Sequence, residues 1–470
     1  MPDESAEPLF NTPTRDTVAD RRAAGRAARK VRPRSEFASW SPAADRQDPV
    51  AILEAQIPSR LQQLIPERHR RMLESPFAFY RGGAAIMAAD LGVLPSTQLE
   101  VQLCGDSHLA NFGLFGSPER ELVFDVNDFD ETHPGPWEWD VIRLAVSAVL
   151  LGRDRGWDDE TQRQLVTSAA GSYRLAMRQF ASMTNVDVWY SMMKADQVEQ
   201  QIQHAGDRRR LDRSIAKARA NDTRRAVEKY TEVVDGQRRF RNAPPLLRRL
   251  EDVYGAEHRK QARDAILNFF VEYLDQLPDD VTVLMQRYRL LDEALKVVGV
   301  GSVGTRCYIA LGVGRDEHDL VILQIKEASE SVLAPFWPGP EVSNQGKRVV
   351  DGQRLMQAAS DPFLGWGHVI NHDYYLRQFR DMKGSADLVK IRARSAGEYL
   401  SRCGWTLARA HARSGDAVAI AGYLGATDKF ERAMIGFCRS YADQVQVDYD
   451  AFEAAASSGR IEVAAPPPPV

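Results

Sequence analysis

Residues 105–111 read GDSHLAN and residues 124–130 read FDVNDFD, and these two segments decide the fold. Between them, residues 112–115 and 121–124 are two short runs of strand-forming residues, separated by the turn sequence GSPE at 116–119. This pattern predicts a β-hairpin. A hairpin would bring the two segments together and cluster their acidic and amide side chains: Asp106, Asn111, Asp125, Asn127, Asp128 and Asp130.

The cluster has the composition of a site for a divalent cation and a phosphate group. Mg²⁺ prefers oxygen ligands and is usually held by one or two carboxylates together with phosphate oxygens. Phosphoryl transfer also needs a carboxylate that orients the acceptor hydroxyl. Asp106 has the spacing for that role, with Asn111 and one or more of Asp125, Asp128 and Asp130 as metal ligands. Asp and Asn are also common turn residues, so the plainer alternative is a pair of ordinary loops.

A second informative segment, GVGSVG at residues 299–304, matches the pattern G-x-G-x-x-G. Strand-forming residues lie on both sides, at 295–298 and 305–311, whereas a dinucleotide-binding fingerprint needs a helix after the glycines. A third run, residues 320–326, ends in Lys326. Strand, glycine loop, strand and a terminal lysine are the arrangement of a kinase nucleotide lid. The alternative is a glycine-rich hairpin with a solvated lysine.

The predicted nucleotide contacts are therefore the loop residues and the lysine: Gly299, Gly301, Ser302, Gly304 and Lys326. They follow the carboxylate cluster in the chain, whereas a kinase has its glycine loop and lysine first. We therefore predict an α+β, two-lobed, protein-kinase-like fold with permuted segments, a mostly helical large lobe and a small antiparallel sheet lobe. A permuted order is tolerated where the original chain ends lie close together at the surface.

The chain resembles the bacterial domain-of-unknown-function family 2252 (DUF2252) from about Phe77 to Phe452. The segments that carry the resemblance are residues 79–82 (FYRG), 105–113, 127–131 (NDFDE), 299–304, 324–328 (QIKEA), 352–354, 375–378 (YLRQ) and 411–416. Arg81, within FYRG, is either a phosphate contact or an ion-pair partner.

A more distant resemblance links the chain to aminoglycoside and choline kinase-like phosphotransferases, whose catalytic loop is His-Gly-Asp-x-His-x-x-Asn. Here Cys104 replaces the first histidine. The resemblance implies that Asp106 is the base, that Asn111 is a metal ligand, and that Asp140 is a structural anchor for the loop.

Together these features predict phosphoryl transfer from ATP, with Mg²⁺, to a small-molecule acceptor. Two other classes stay open: a regulatory pseudokinase that binds nucleotide without turnover, and a metal-dependent phosphohydrolase that uses the same carboxylates without the glycine loop. Transfer of the adenylyl group instead of the phosphoryl group is a further alternative. The sequence identifies neither the acceptor nor the oligomeric state.

Bulk properties favour a large enzyme. The formal net charge is −4, so the chain has no overall field for a polyanion and we expect no nucleic acid partner. The four cysteines are scattered, which favours a reducing cytoplasm, and no apolar run is long enough to span a bilayer. We expect a disordered Arg/Pro-rich tail at 1–49, a catalytic-loop and helical lobe at 50–280, a sheet lobe at 281–395, closing helices at 396–457 and a Pro-rich tail at 458–470.

Overall fold

The computed structural model describes residues 16–201, 205–297, 299–379 and 381–466. It is a mixed α+β structure in which a large helical body adjoins small antiparallel sheets. The helices are α1 Val18–Val31, α2 Pro49–Ala55, α3 Ile65–Met72, α4 Pro76–Gly82, α5 Ala84–Gly92, α6 Trp137–Asp154, α7 Asp159–Phe180, α8 Asn185–Tyr190, α9 Ala195–Gln201, α10 Ala205–Ala220, α11 Thr223–Tyr230, α12 Leu250–Asp275, α13 Asp279–Met285, α14 Gln345–Met356, α15 Ala393–Ser414, α16 Ala417–Leu424 and α17 Lys429–Ser457. The strands are β1 Glu100–Leu103, β2 Phe112–Gly116, β3 Leu122–Val126, β4 His133–Pro136, β5 Met193–Lys194, β6 Thr231–Val234, β7 Gln237–Phe240, β8 Leu247–Arg249, β9 Arg289–Lys296, β10 Cys307–Val313, β11 Leu320–Ala328, β12 Gly365–Val369 and β13 His372–Gln378.

The predicted hairpin is present as β2 and β3, which pair antiparallel with Gly113 opposite Asp125. A third strand, β5, pairs with β3. On the other edge, Gly384 exchanges two backbone hydrogen bonds with Leu114 of β2. The hairpin therefore fixes the position of a loop that follows it by more than 200 residues in the sequence.

The predicted strands around the glycine loop are also present, as β9, β10 and β11. They belong to a six-stranded antiparallel sheet in the order β12-β13-β11-β10-β9-β8. This sheet includes β8, which precedes residue 281, the predicted start of the sheet lobe. The sheet therefore contains a strand from an earlier part of the chain than predicted. Val298 lies outside the described residues.

The two faces of this sheet are covered differently. Alternate residues of β11, Val321, Leu323 and Ile325, share one apolar cluster with the buried side of α12. Ile322 points to the opposite face, where it packs with residues of α11. Because side chains alternate along a strand, Gln324 and Lys326 share the face of Ile322, away from α12.

The prediction of a disordered N-terminal tail is wrong from residue 16 onward. A capping box at Thr17 starts α1, and Gly25 lies so close to the carbonyl oxygen of Ala419 that a larger residue would clash. The arginines serve as caps: Arg29 donates to the carbonyls of Gly422 and Tyr423 at 2.6 and 2.8 Å, at the C-terminal end of α16. Their positive charge suits that end of a helix.

The predicted C-terminal tail also packs in part, since Ile461 is buried and the amide of Ala464 donates to the carbonyl of Pro66 at 3.0 Å. Residues 1–15 and 467–470 are not described.

Candidate functional site

Lys326 lies where β11 meets the glycine loop. Lys326 pairs with Tyr375 across β11 and β13, and Gln324 pairs with Arg377. Residues directly opposite each other on paired strands share a face of the sheet, so these four polar side chains form one patch. Within this patch Lys326 is buried, with 2 % of its surface exposed.

Three side chains from separate parts of the chain bind the carboxylate of Asp130. It forms an ion pair with Lys326. It also accepts hydrogen bonds from the Tyr375 hydroxyl at 2.8 Å and from the Ser302 hydroxyl of the glycine loop at 3.1 Å. Asp128 lies beside this pair, with one carboxylate oxygen 3.9 Å from the Lys326 ammonium. The segment after the hairpin, the glycine loop and the lysine therefore converge.

The two carboxylates differ in their electrostatics. Burial and repulsion from Asp130 raise the pKa of Asp128 above its ordinary value. Burial acts in the same direction on Asp130, but the charge of Lys326 and hydrogen bonds from Lys326 and Tyr375 outweigh it and lower its pKa. The side chain of Asp128 is 31 % exposed. Asp128 is therefore the carboxylate that an added cation would stabilise most.

The glycine loop is held from behind by arginines. Arg60 donates to the carbonyls of Gly301 and Val303 at 2.8 and 2.7 Å, and Arg71 donates to that of Gly299. In a trans peptide the C=O and the following N–H point in opposite directions. The N–H groups that follow these three carbonyls therefore point away from the arginines, an arrangement suited to an anion.

Glycine is required at the two ends of the loop, where Gly299 and Gly304 have φ values of 67° and 96°, a region that side chains disfavour. Of the predicted contacts, Gly299 and Ser302 line a large cleft together with Lys326. Gly301 and Gly304 form the back of the loop, because a Cβ there would lie 3.2 Å from the Arg81 carbonyl and 3.1 Å from the Arg60 side chain, respectively.

The loop that carries Asp106 is anchored by Asp140, as the distant resemblance implied. Buried at the start of α6, Asp140 accepts hydrogen bonds from the backbone N–H groups of Cys104 and Gly105 at 2.8 and 3.1 Å. Its own carbonyl accepts from the Ser107 hydroxyl at 2.6 Å, and His411 lies 3.2 Å from its carboxylate. Asp140 therefore has a structural role.

Asp106 itself is held by an arginine. One of its carboxylate oxygens is bound by Arg143 Nε and Nη2, each at 2.8 Å. Burial raises the pKa of Asp106, although the charge of Arg143 opposes this. The side chain is 19 % exposed but is not among the residues that line the cleft. Asp106 is therefore bound by Arg143 and not by a side chain of the Lys326 patch.

Asn111 is tied to the same loop. Its side-chain Nδ2 donates to the backbone carbonyl of Asp106 at 2.7 Å, which fixes the amide and leaves its Oδ1 as an acceptor. Arg81, for which an ion pair and a phosphate contact were both open, has no ion-pair partner within the described chain, and its Nε is buried without a hydrogen bond. The ion-pair alternative for Arg81 therefore finds no support.

Asp125 needs a correction. Its carboxylate forms a buried ion pair with Arg409 of α15 and accepts from the backbone N–H of Ala358 at 3.0 Å. Asp125 is 1 % exposed, so it is a structural residue and not a candidate metal ligand. Hairpin spacing could not show this, because Arg409 lies 284 residues later.

No cluster of three or more His, Cys, Asp or Glu side chains suited to a metal ion occurs among the described residues. A Mg²⁺ ion that also binds phosphate oxygens needs only one or two protein carboxylates. Asp128 fits this requirement, since it is partly exposed, has a raised pKa and has one carboxylate oxygen 3.9 Å from the Lys326 ammonium.

The cleft has a volume of about 1590 Å³. Its walls come from the β2–β3 hairpin, the Lys326 patch, the glycine loop, α10, α11, α15 and the loop before α15. Arg377, which is not among the predicted site residues, lines this cleft and donates to the carbonyl of Asn127 at 3.1 Å. Arg377 follows Tyr375 by two residues, so both side chains lie on the same face of β13. That this face borders the cleft could be recognised only once the pairing of β11 with β13 was known.

Fold and site together define an α+β protein with a glycine loop, a buried lysine and two carboxylates at one large cleft. A family model for uncharacterized proteins conserved in bacteria (DUF2252) matches residues 60–455. The chain belongs to this family. It has no significant match among curated proteins or solved structures. None of its described helices is both long and apolar enough to cross a membrane.

Proposed function

We propose that this protein is a kinase-like phosphotransferase that uses ATP and Mg²⁺ to modify a small molecule. One observation carries the proposal: Ser302 of the glycine loop, Lys326 and the carboxylates of Asp128 and Asp130 meet at one cleft. These are the parts that phosphoryl transfer uses to hold the phosphates and the metal. In this proposal the segment order is permuted relative to a kinase, and the groups that lie next to one another are Ser302, Lys326, Asp128 and Asp130.

Each residue of the site has a role in this proposal. The ammonium of Lys326 would bind the phosphates of ATP, exchanging part of its contact with Asp130 for them, and the outward N–H groups of the glycine loop would add neutral donors. Asp128 and the Oδ1 of Asn111 would hold Mg²⁺, which neutralises developing charge on the phosphates. Asp106 would orient the acceptor hydroxyl once the substrates are bound.

The size of the cleft supports two ligands at once. Sites for a single small molecule are typically about 300–1,000 Å³, whereas this cleft measures about 1590 Å³. A nucleotide and an acceptor could therefore occupy it together.

A second candidate function is nucleotide binding without transfer. It is favoured by the position of Asp106, whose carboxylate is bound by Arg143 and does not line the cleft. A protein of this kind would need the Lys326 patch and Asp128 but not Asp106.

The test is calorimetric titration of the full chain with ATP, ADP and GTP, with and without Mg²⁺. We expect saturable, Mg²⁺-dependent ATP binding that Lys326→Met weakens, with Lys347→Met on the surface of α14 as the matched control. Lack of nucleotide binding by the folded wild type would refute both candidate functions. ATP labelled at the α- or γ-phosphate then separates adenylyl transfer, phosphoryl transfer and no transfer.

A further inference from the structure

The lining of the cleft is far more basic than the chain as a whole. The whole chain has 61 Lys and Arg against 65 Asp and Glu. The cleft is lined by twelve Lys and Arg against six Asp and Glu. Lys326 and Arg377 belong to the patch described above, so most of this positive charge lies outside it. A concave surface of one charge raises the local concentration of ligands of opposite charge.

Most of the acidic lining residues are already engaged. Asp381 forms an ion pair with Arg120, and Asp361 accepts backbone N–H bonds from Phe363 and Gln378. Asp222 caps α11, and Glu398 lies 3.6 Å from Arg394. With twelve Lys and Arg against six Asp and Glu, the lining keeps a net positive charge whatever the pairing among them.

Four of the cations come from three elements that meet at the β2–β3 hairpin. We call Lys217 of α10, Lys390 and Arg392 of the loop before α15, and Arg402 of α15 the basic wall. The side chain of Asn221, just after α10, donates to the carbonyl of Lys383 at 3.1 Å, and Gly384 pairs with β2. These contacts hold α10 and the loop against the hairpin.

Arg402 is the most enclosed member of the basic wall. One turn earlier in α15, the Tyr399 hydroxyl donates to the carbonyls of Leu109 and Phe112 at 2.8 and 3.0 Å. Arg402 is thereby fixed relative to the hairpin and the Asp106 loop. Burial lowers its pKa, although the charge of Glu398, one turn earlier in α15, opposes this, and no carboxylate of the described chain lies within ion-pair distance of it. A half-buried guanidinium without an ion-pair partner among the described residues is suited to an anion from outside the chain.

We propose that the basic wall binds an anionic group of the acceptor, so that the substrate is a small molecule carrying a phosphate or carboxylate group. The assignment of the bound anion to an acceptor substrate rests on the proposed function. Anion binding by the basic wall can be measured whether or not the protein is a phosphotransferase. A concave cleft of about 1590 Å³ has the size for small molecules, and we infer a small anion and not a nucleic acid strand.

The test uses inorganic pyrophosphate as the probe, titrated into the full chain with and without saturating Mg-ADP. We expect saturable binding that persists with Mg-ADP present. Arg402→Gln and Lys217→Gln should each weaken this binding about tenfold or more, and Arg402→Lys should retain most of it. Arg432→Gln, an exposed residue of α17 outside the cleft, is the matched control. Circular dichroism of each variant verifies the fold.

The outcomes separate this inference from the proposed function. If Mg-ADP does not bind but pyrophosphate binds through Arg402, the kinase proposal fails and the anion site stands. If pyrophosphate does not bind, or its binding depends on Lys326 and not on Arg402, the basic wall is not an anion site. Citrate binding through the same residues supports a carboxylate in the substrate. Preferred binding of a single-stranded RNA would overturn the small-molecule assignment.

Discussion

The ammonium of Lys326 forms an ion pair with the carboxylate of Asp130, which lies 196 residues earlier in the chain. The pair joins β11 of the small sheet to the segment that follows the β2–β3 hairpin. It therefore fixes the relative position of the two motifs from which a phosphate site was predicted. A phosphate that bound Lys326 would compete with Asp130 for its charge, so the pair also holds the lysine in place before a ligand arrives.

The first prediction concerns the stability of this pair. Asp130→Asn removes a charge from beside a buried lysine and should cost about 3 kcal/mol of unfolding free energy, at the lower end of the range for buried pairs because Asp130 retains some exposure. Lys326→Met should cost a similar amount. In the double variant the loss of unfolding free energy should be smaller than the sum of the two single losses by roughly 1–3 kcal/mol. Denaturant unfolding of all four proteins measures this, and purely additive losses would show that the pair contributes nothing.

The second prediction separates Asp128 from Asp125. Asp128→Asn should abolish most of the Mg²⁺-dependent part of ATP binding with little effect on stability, because Asp128 is partly exposed and its pKa is already raised. Asp125→Asn should leave Mg²⁺ dependence unchanged but cost about 3–5 kcal/mol, because it leaves Arg409 buried without a carboxylate. Calorimetry and unfolding on both variants give the comparison. The opposite pattern would restore Asp125 as the metal ligand.

The features that the sequence predicted are local ones. The β2–β3 hairpin and the strands beside the glycine loop follow from residue alternation and turn residues within short segments. The partners of individual side chains could not be predicted in this way. Arg409 neutralises Asp125 from 284 residues away, and whether a carboxylate binds metal or an arginine depends on such distant packing. The helix α1 was missed because its arginines bind the end of α16, nearly 400 residues later.

The third prediction concerns pH. Burial raises the pKa of Glu131 to about 7, whereas in the unfolded chain it is close to 4.3. Between these values the folded state keeps a proton that the unfolded state has lost, so stability falls as pH rises through this window and levels off above it. The loss attributable to Glu131 is at most roughly 4 kcal/mol.

The variant Glu131→Gln isolates this effect, since an amide oxygen can still accept the bond from the Val332 backbone N–H, 2.8 Å away in the wild type. We expect the wild type to lose stability relative to the variant between about pH 5 and pH 8. Denaturant unfolding at four pH values across that range measures the difference. Parallel curves for the two proteins would mean that Glu131 ionises normally in the folded state.

The last prediction separates an enzyme from a nucleotide-binding protein. If Asp106 orients the acceptor hydroxyl, Asp106→Asn should lower turnover by about 10²–10⁴-fold while ATP affinity stays near normal, because the contact matters mainly in the transition state. Asp140→Asn is the matched control. It should lower stability by weakening hydrogen bonds to the Cys104 and Gly105 N–H groups, and turnover should fall only as far as the loop is disordered. Initial rates and calorimetry on folded protein separate the two effects. Full turnover in Asp106→Asn would show that another group is the base, and saturable Mg-ATP binding with no transfer in the wild type would favour the pseudokinase.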